Sequence, residues 1–322
     1  MSPTEGDSPL SFADRVRASP RLRTLLAAAL PVGFVTLLLF IPYVLLLVQS
    51  FWRLQGGSIV HQFTLENYRR LGETPLYPYT ILFSASIALR VTFFSLLLAF
   101  PLAYLLAFKV KRHRNLMYMA VIIPLWVSYL VRAYAWKIIL GQEGILNGLL
   151  RAAGLIDQPL TFLLYSQWAV IVALTHIYTP FTLMPIYAVL EAIPPALKEA
   201  SQDLYANRWQ TFRRVILPLS LPGVVAGATF AFVLSMGDFL APQLLGGNDS
   251  ALMVSNLVWS LFGVAFNWPL GAAVSVIVLL LTLFLLWLAA KVEAGYGGRA
   301  DGRTGGQVVG RTGGITVAGS TQ

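Results

Sequence analysis

The sequence predicts an all-α integral membrane protein with six transmembrane helices and both termini in the cytoplasm. Three observations carry that prediction. Of 322 residues, 57% are hydrophobic and 11% charged, where a soluble globular chain has about a quarter charged. Six predominantly apolar runs, near 27–50, 87–108, 116–139, 167–190, 221–245 and 270–290, reach the length that one bilayer crossing needs. Lipid cannot satisfy backbone polar groups, so each run is expected as a helix. The third observation is how the net charge of +9 is distributed: sixteen of the twenty-three basic residues fall in four groups, at 15–23, 109–114, 198–214 and 291–311. These groups occupy alternate loops, the bias that marks the cytoplasmic side. The basic excess therefore points to a membrane surface and membrane lipid, with no nucleic-acid partner.

Taken in order, residues 1–24 are polar and charged and read as a cytoplasmic tail, either loose or as a surface helix. The first apolar run lacks a small-residue cleavage site after it and is expected to be a retained span; Pro31 and Pro42 are tolerable within it. The outer segment 51–79 holds LENYRRL, a short amphipathic helix that TPLYP should stop. Span two is expected to bend at Pro101. In span three, taken as straight, Arg132 and Lys137 fall about 25 and 32 Å from its start, near the outer interface. Span four carries Pro180 and Pro185 and is expected to be irregular toward the cytoplasm. A charged loop at 191–218 follows, then spans five and six. The lipid-embedded domain thus covers 25–292, and the Gly-rich residues 293–322 are expected to be disordered.

Several chemistries are excluded by what the chain lacks. It has no cysteine, hence no disulfide, thiolate nucleophile or cysteine-ligated metal. His61, His113 and His176 lie in different segments without metal-ligand spacing, and His176 reads as a packed, hydrogen-bonded residue. There is no GxxxxGK[ST] phosphate loop, so ATP cannot be cradled here by that means. No paired intramembrane acids, histidine cluster or nucleophile motif supports a membrane enzyme. No cofactor is expected.

The loop EASQDLYANRWQTFRRVILPLSLPG, 199–223, admits two readings. One is an amphipathic connector resting on the lipid surface. The other is a protruding pair of short helices, opened by Pro194 and Pro195, broken near Ala206 and Asn207 and closed by Pro218 and Pro222. Such a knob, presenting Glu199, Asp203 and Leu204, suits a groove on a soluble partner.

That segment resembles the EAA loop of ABC-importer permeases, whose pattern is Glu-Ala-Ala, three residues, Gly, nine residues, Ile, one residue, Leu-Pro. Glu199, Ala200, Asp203, Leu204, Val215, Leu217 and Pro218 fall in register. Ser201 replaces the second Ala, and Tyr205 stands at the Gly, where a left-handed turn costs a non-glycine residue energy; the turn is expected instead at Ala206 and Asn207. PLAYLLAF, WVSYLVRAYAWKIILGQEGILN, SMGDFLAPQLLGG and NWPLGAAVS extend the likeness over roughly 25–292 to the polyamine-type branch, permeases of spermidine and putrescine importers. The resemblance implies the type I ABC importer permease fold in a bacterial inner membrane. It further implies a second permease subunit, two ATPase subunits that do the hydrolysis, and an extracytoplasmic substrate-binding protein. By the same likeness the coupling residues are Glu199, Ala200, Asp203, Leu204, Tyr205 and Pro218, with Glu199 meeting a basic residue of the ATPase.

The substrate pathway is read from the residues themselves. Asp238 lies about 22 Å along a helix starting near Gly223, where a carboxylate in the membrane suggests function; it either meets the substrate or pairs with Arg132, Lys137 or Arg90. Tyr129, Tyr134, Trp136 and Trp259 offer cation–π faces to an ammonium group, or serve as interfacial belt residues. Arg132 and Lys137 near the outer mouth speak instead for a carboxylate or phosphonate substrate, which stays open beside a polyamine. A non-transporting scaffold that recruits a soluble protein through the knob is the remaining alternative.

Overall fold

The computed structural model describes residues 20–110, 112–247 and 253–304. Positions 1–19 of the expected N-terminal tail, Lys111 and the tail from 305 lie outside them. Helix α1, Pro20–Gln49, runs unbroken through Pro31 and Pro42 and packs chiefly on the last helix of the chain. Its apolar side chains are largely exposed within the single chain, as a lipid- or partner-facing span requires. A hairpin follows, β1 (Arg53–Gln55) against β2 (Ser58–Val60), turning at Gly56 and Gly57 with φ of 59° and 81°; positive φ at both central positions is what a two-residue hairpin turn needs and glycine supplies. The Asn67 amide secures it, donating to the Ser50 and Trp52 carbonyls at 2.9 and 2.6 Å.

Asn67 sits on α2, Glu66–Glu73, the helix expected from LENYRRL. TPLYP ends it and at once opens another, because Pro75 caps α3, Leu76–Phe108, well before the expected start near 87. Proline at a helix start sacrifices an N–H that has no partner there anyway. Helix α3 continues through Pro101 to Phe108.

The third span is not straight. It comprises α4 (Arg114–Ile122), a 3₁₀ turn (Ile123–Trp126), α5 (Tyr129–Leu140) and α6 (Ile145–Ala152), with a 93° bend between the parts before and after 127–128. Val127 and Ser128 both take extended ψ of 136°, just past Pro124. The distances expected for Arg132 and Lys137 along a straight helix therefore do not apply.

Helix α7, Gln167–Ala192, corrects another expectation: both Pro180 and Pro185 lie inside an unbroken helix. Its apolar stretch is 67% buried between α3 and the fifth span, and neighbouring helices routinely hold a proline-bearing span together. Beyond α7 come α8 (Pro195–Asp203), α9 (Arg208–Thr211), a π turn (Phe212–Ile216) and α10 (Leu217–Gly237). Arg208–Gly237 forms one continuous apolar-ended helix, so Pro218 and Pro222 do not close the loop as expected. The π turn ends at Ile216, two residues before Pro218, whose ring would otherwise press on the Arg214 carbonyl.

Helix α10 breaks at Asp238, and the short α11, Leu240–Leu245, completes the fifth run. Gly246 and Gly247 end it, Gly247 at φ 69°. Then follow α12, Val254–Gly263, and α13, Trp268–Thr304. Helix α13 runs on past Val292, so residues 293–304, expected to be disordered, are helical. Among the described residues, five single helices and one bent pair are long and apolar enough to cross a membrane.

The core is the trio α3, α7 and α10. Its tightest seam is made by glycine: a Cβ on Gly227 would lie 2.6 Å from the Thr182 carbonyl oxygen, and one on Gly223 would lie 2.8 Å from that of Pro185. With Ala231 fully buried one turn on, this small-xxx-small-xxx-small face brings α10 backbone to α7 backbone, the packing that holds helices together where lipid supplies no hydrophobic drive.

Candidate functional site

Two regions of the fold hold candidate site residues, joined by the helix Arg208–Gly237. The first is the knob. Pro194 caps α8 and Pro195 opens it; Asn207 caps α9 through a reciprocal capping box with Gln210, at 2.8 and 2.9 Å. Ser201, in place of alanine, is buried and its Oγ lies 2.8 Å from Thr211 Oγ1, tying the two short helices together. The turn between them falls at Tyr205, φ 57°, and not at Ala206 and Asn207 as expected. Asn207 is instead extended, as an N-cap must be. The sequence position that should be glycine is thus left-handed with tyrosine in it, at about 1–2 kcal/mol. Tyr205 is 97% exposed and Leu204 81%; Glu199, Ala200 and Asp203 are exposed beside them, as is Pro218. Glu199 and Asp203, four apart, share one face of α8. Neither forms an ion pair among the described residues.

The second region is centred on Asp238. It is 8% exposed and takes an extended conformation at the break between α10 and α11. The Tyr129 hydroxyl donates to its Oδ2, as does that of Tyr178 at 2.5 Å; the Ala241 N–H donates to Oδ1 at 3.1 Å. The carbonyls that the break frees are met from α12: Ser255 Oγ donates to that of Asp238 at 2.5 Å, and Asn256 Nδ2 to that of Phe239 at 2.9 Å. One carboxylate so joins the first residue of α5, the middle of α7 and both sides of the fifth-span break.

The expected alternative, an ion pair with Arg132, Lys137 or Arg90, is not formed. Arg132 lies over the Tyr129 ring, 5.8 Å from its centroid, and Lys137 over that of Tyr165 at 5.8 Å. Arg90 donates to Gln167 Oε1 at 3.1 Å. A buried acid without a cation is costly unless hydrogen-bonded, and the two tyrosines supply those bonds.

The four aromatic candidates separate. Tyr129 belongs to the Asp238 cluster. Trp136 Nε1 donates to His176 Nδ1 at 3.3 Å, placing both on an apolar cleft of about 570 Å³ between α3, α5 and α7. Tyr134 is 47% exposed and Trp259, one turn beyond Ser255 on α12, is 51% exposed; neither reaches Asp238 by any hydrogen bond described here.

Residues 95–297 match the family of binding-protein-dependent transport system inner membrane components. The chain belongs to this family. The permease is 37% identical over 265 residues to the spermidine/putrescine transport system permease protein PotB of Escherichia coli (strain K12), covering 81% of this chain and 95% of that protein. It is 36% identical over 256 residues to the protein of the same name from Haemophilus influenzae, covering 78% and 88%. In three dimensions it matches a chain of a bacterial ABC transporter involved in the import of the acidic polysaccharide alginate, with a TM-score of 0.64 at 20% identity over 87% of this chain and 98% of that one. The ABC-importer permease fold expected from the loop motif is thereby borne out, and the permease is a multi-pass inner-membrane protein.

Tyr178, Ser255 and Asn256 were not among the expected site residues. Tyr178 offered a signal: a phenol in the middle of an apolar run must find a hydrogen-bond partner, and Asp238 was the unpaired acid in the neighbouring span.

Proposed function

We propose that the permease moves a polyamine such as spermidine or putrescine into the cell, taking it from an extracytoplasmic binding protein. A second permease completes the pathway, and two copies of an ATPase subunit supply the energy. Glu199 and Asp203, with Leu204 and Tyr205 at the tip, form the surface offered to the ATPase groove. Closure of the ATPases draws the knob with it, and the unbroken helix Arg208–Gly237 carries that displacement as a rigid body to the Asp238 break.

The observation that carries the polyamine reading is the Asp238 cluster: a buried carboxylate, held by two tyrosine hydroxyls, that forms no ion pair with a basic side chain among the described residues. The carboxylate supplies the charge that an ammonium group would meet, and the two tyrosine hydroxyls fix where it sits. Arg132 and Lys137, which spoke for an anionic substrate, keep their charge but lie over the Tyr129 and Tyr165 rings and form no ion pair with Asp238. The two relatives carry spermidine and putrescine in their names.

Proteoliposomes holding the permease with its partner permease, ATPase and binding protein should accumulate radiolabelled spermidine only with ATP. Accumulation of a carboxylate or phosphonate in its place would move the assignment to anions, and ATP-independent recruitment of a soluble protein without uptake would leave only a scaffold. The basic-residue bias further supports a cytoplasmic position for both termini and the 191–218 loop. A cysteine at the exposed Gln202, the only one in a cysteine-free chain, should resist an impermeant thiol reagent outside intact cells and react once the membrane is opened. Rapid labelling from outside would invert the topology.

A further inference from the structure

The knob is acid on one helix and basic on the other. While α8 presents Glu199 and Asp203, the continuation through α9 and the π turn carries Arg208, Arg213 and Arg214, all exposed. No carboxylate pairs with any of these arginines among the described residues. Trp209, Gln210, Arg213 and Arg214 together line a cleft of about 440 Å³.

The π turn helps to build that cleft. In a regular α-helix Arg214 would stand about 140° around the axis from Trp209, at 3.6 residues per turn. A wider turn, marked by the Leu217 N–H bonding to the Phe212 carbonyl, delays the rotation and carries Arg214 back toward Trp209 and Arg213. Trp209 is held in place by stacking on Phe212, centroids 5.5 Å apart and planes 24° from parallel, yet remains 66% exposed. Phe212 in turn packs against the apolar cluster of Leu106, Ile186 and Leu190 at that end of the core.

Depth identifies the ligand. Arg213 and Arg214 are followed immediately by Val215, Ile216 and Leu217, where the helix turns apolar, whereas the exposed tip at Leu204 and Tyr205 belongs to the preceding turn. Two guanidiniums and an indole at the last polar turn before an apolar span sit at headgroup level, where tryptophan and arginine are both favoured. A fork of N–H donors matches phosphate oxygens.

We propose that Trp209, Gln210, Arg213 and Arg214 form a binding site for the phosphate of an anionic phospholipid, so that the knob is seated on the membrane by its basic half while its acidic half faces the ATPase. The lipid site rests on the membrane assignment alone; only the orientation of the acidic half rests on the ATPase reading of the proposed function.

The test uses the full-length permease in nanodiscs containing equal phosphatidylcholine and phosphatidylglycerol, with retained lipid counted by native mass spectrometry. The wild type should retain phosphatidylglycerol preferentially. Arg213→Gln should weaken the preference roughly fivefold and Arg213→Gln/Arg214→Gln about thirtyfold, as expected for basic side chains at a charged membrane surface. Lys109→Gln/Arg112→Gln, which removes the same charge from another loop, should leave most of it. Thermal unfolding identical to wild type would show that the double variant is folded; should it not fold, Trp209→Phe with Gln210→Ala must lower the preference in its place. Equal retention of the two lipids by the wild type, unchanged retention in the folded arginine variant, or an equal loss in the control would overturn the site. Displacement of the lipid by millimolar inorganic phosphate would make it a soluble-anion site, and loss of ATPase binding with lipid retention intact would assign the arginines to the ATPase; either result overturns the lipid.

Discussion

Glu199→Ala should abolish ATP-driven uptake and binding-protein-stimulated ATP hydrolysis together, while the amount of permease in the membrane stays the same. The two halves of that expectation have separate causes. Within the chain Glu199 is exposed and forms no ion pair among the described residues, so its removal costs the folded permease almost nothing. In the proposed ATPase interface it would be a carboxylate on a proline-opened helix, and truncating one member of a desolvated charge pair costs about 2–5 kcal/mol. Association of the ATPase should weaken by at least tenfold, measured by co-purification. Asp203→Ala, on the same face one turn later, should do less if Glu199 is the central contact. Undiminished uptake by Glu199→Ala would take this acid out of the coupling mechanism and leave the apolar tip, Leu204 and Tyr205, as the contact.

What was legible in the sequence was whatever depends on composition and short spacing. The apolar runs, the helix at LENYRRL, the two-helix knob and the presence of an acid, Asp238, inside an apolar run all follow from residues within a turn or two of one another. What escaped depends on contacts between distant segments. Nothing local says that α7 stays unbroken through Pro180 and Pro185; packing between α3 and α10 accounts for it. Nothing local puts a break at Asp238 either, since its freed carbonyls are met by Ser255 and Asn256, seventeen residues on in each case. The turn at Tyr205 was misplaced because a steric preference of about 1–2 kcal/mol was allowed to outweigh the spacing of the motif. The capping of α9 by Asn207 and Gln210 and the Ser201–Thr211 bond fix both helix ends, leaving Tyr205 to absorb the reversal. The Gly223, Gly227, Ala231 face was legible and overlooked, as glycines four apart in an apolar run are a helix-packing signal.

Asp238→Asn should lower polyamine uptake at least tenfold while leaving the complex assembled. The substitution separates charge from shape. Oδ2 accepts from Tyr129 and Tyr178, and Oδ1 from the Ala241 N–H; an asparagine can keep its amide oxygen toward Ala241 and donate its amide hydrogens to the two tyrosine oxygens, whose own hydrogens rotate away. The break between α10 and α11 is thus preserved, and what disappears is the negative charge that an ammonium group would meet. Thermal stability should stay within a few degrees of wild type, and the binding protein should still stimulate ATP hydrolysis. Tyr129→Phe and Tyr178→Phe behave oppositely: each removes a donor from a buried carboxylate, which costs about 1–3 kcal/mol, so they should lower stability before they alter substrate choice. Joining either phenylalanine to Asp238→Asn should recover part of that loss, because an amide needs fewer donors than a carboxylate. A well-assembled Asp238→Asn permease with unchanged spermidine uptake would make the cluster purely a fastening for the two broken spans. The polyamine would then have to be recognised at the interface with the second permease.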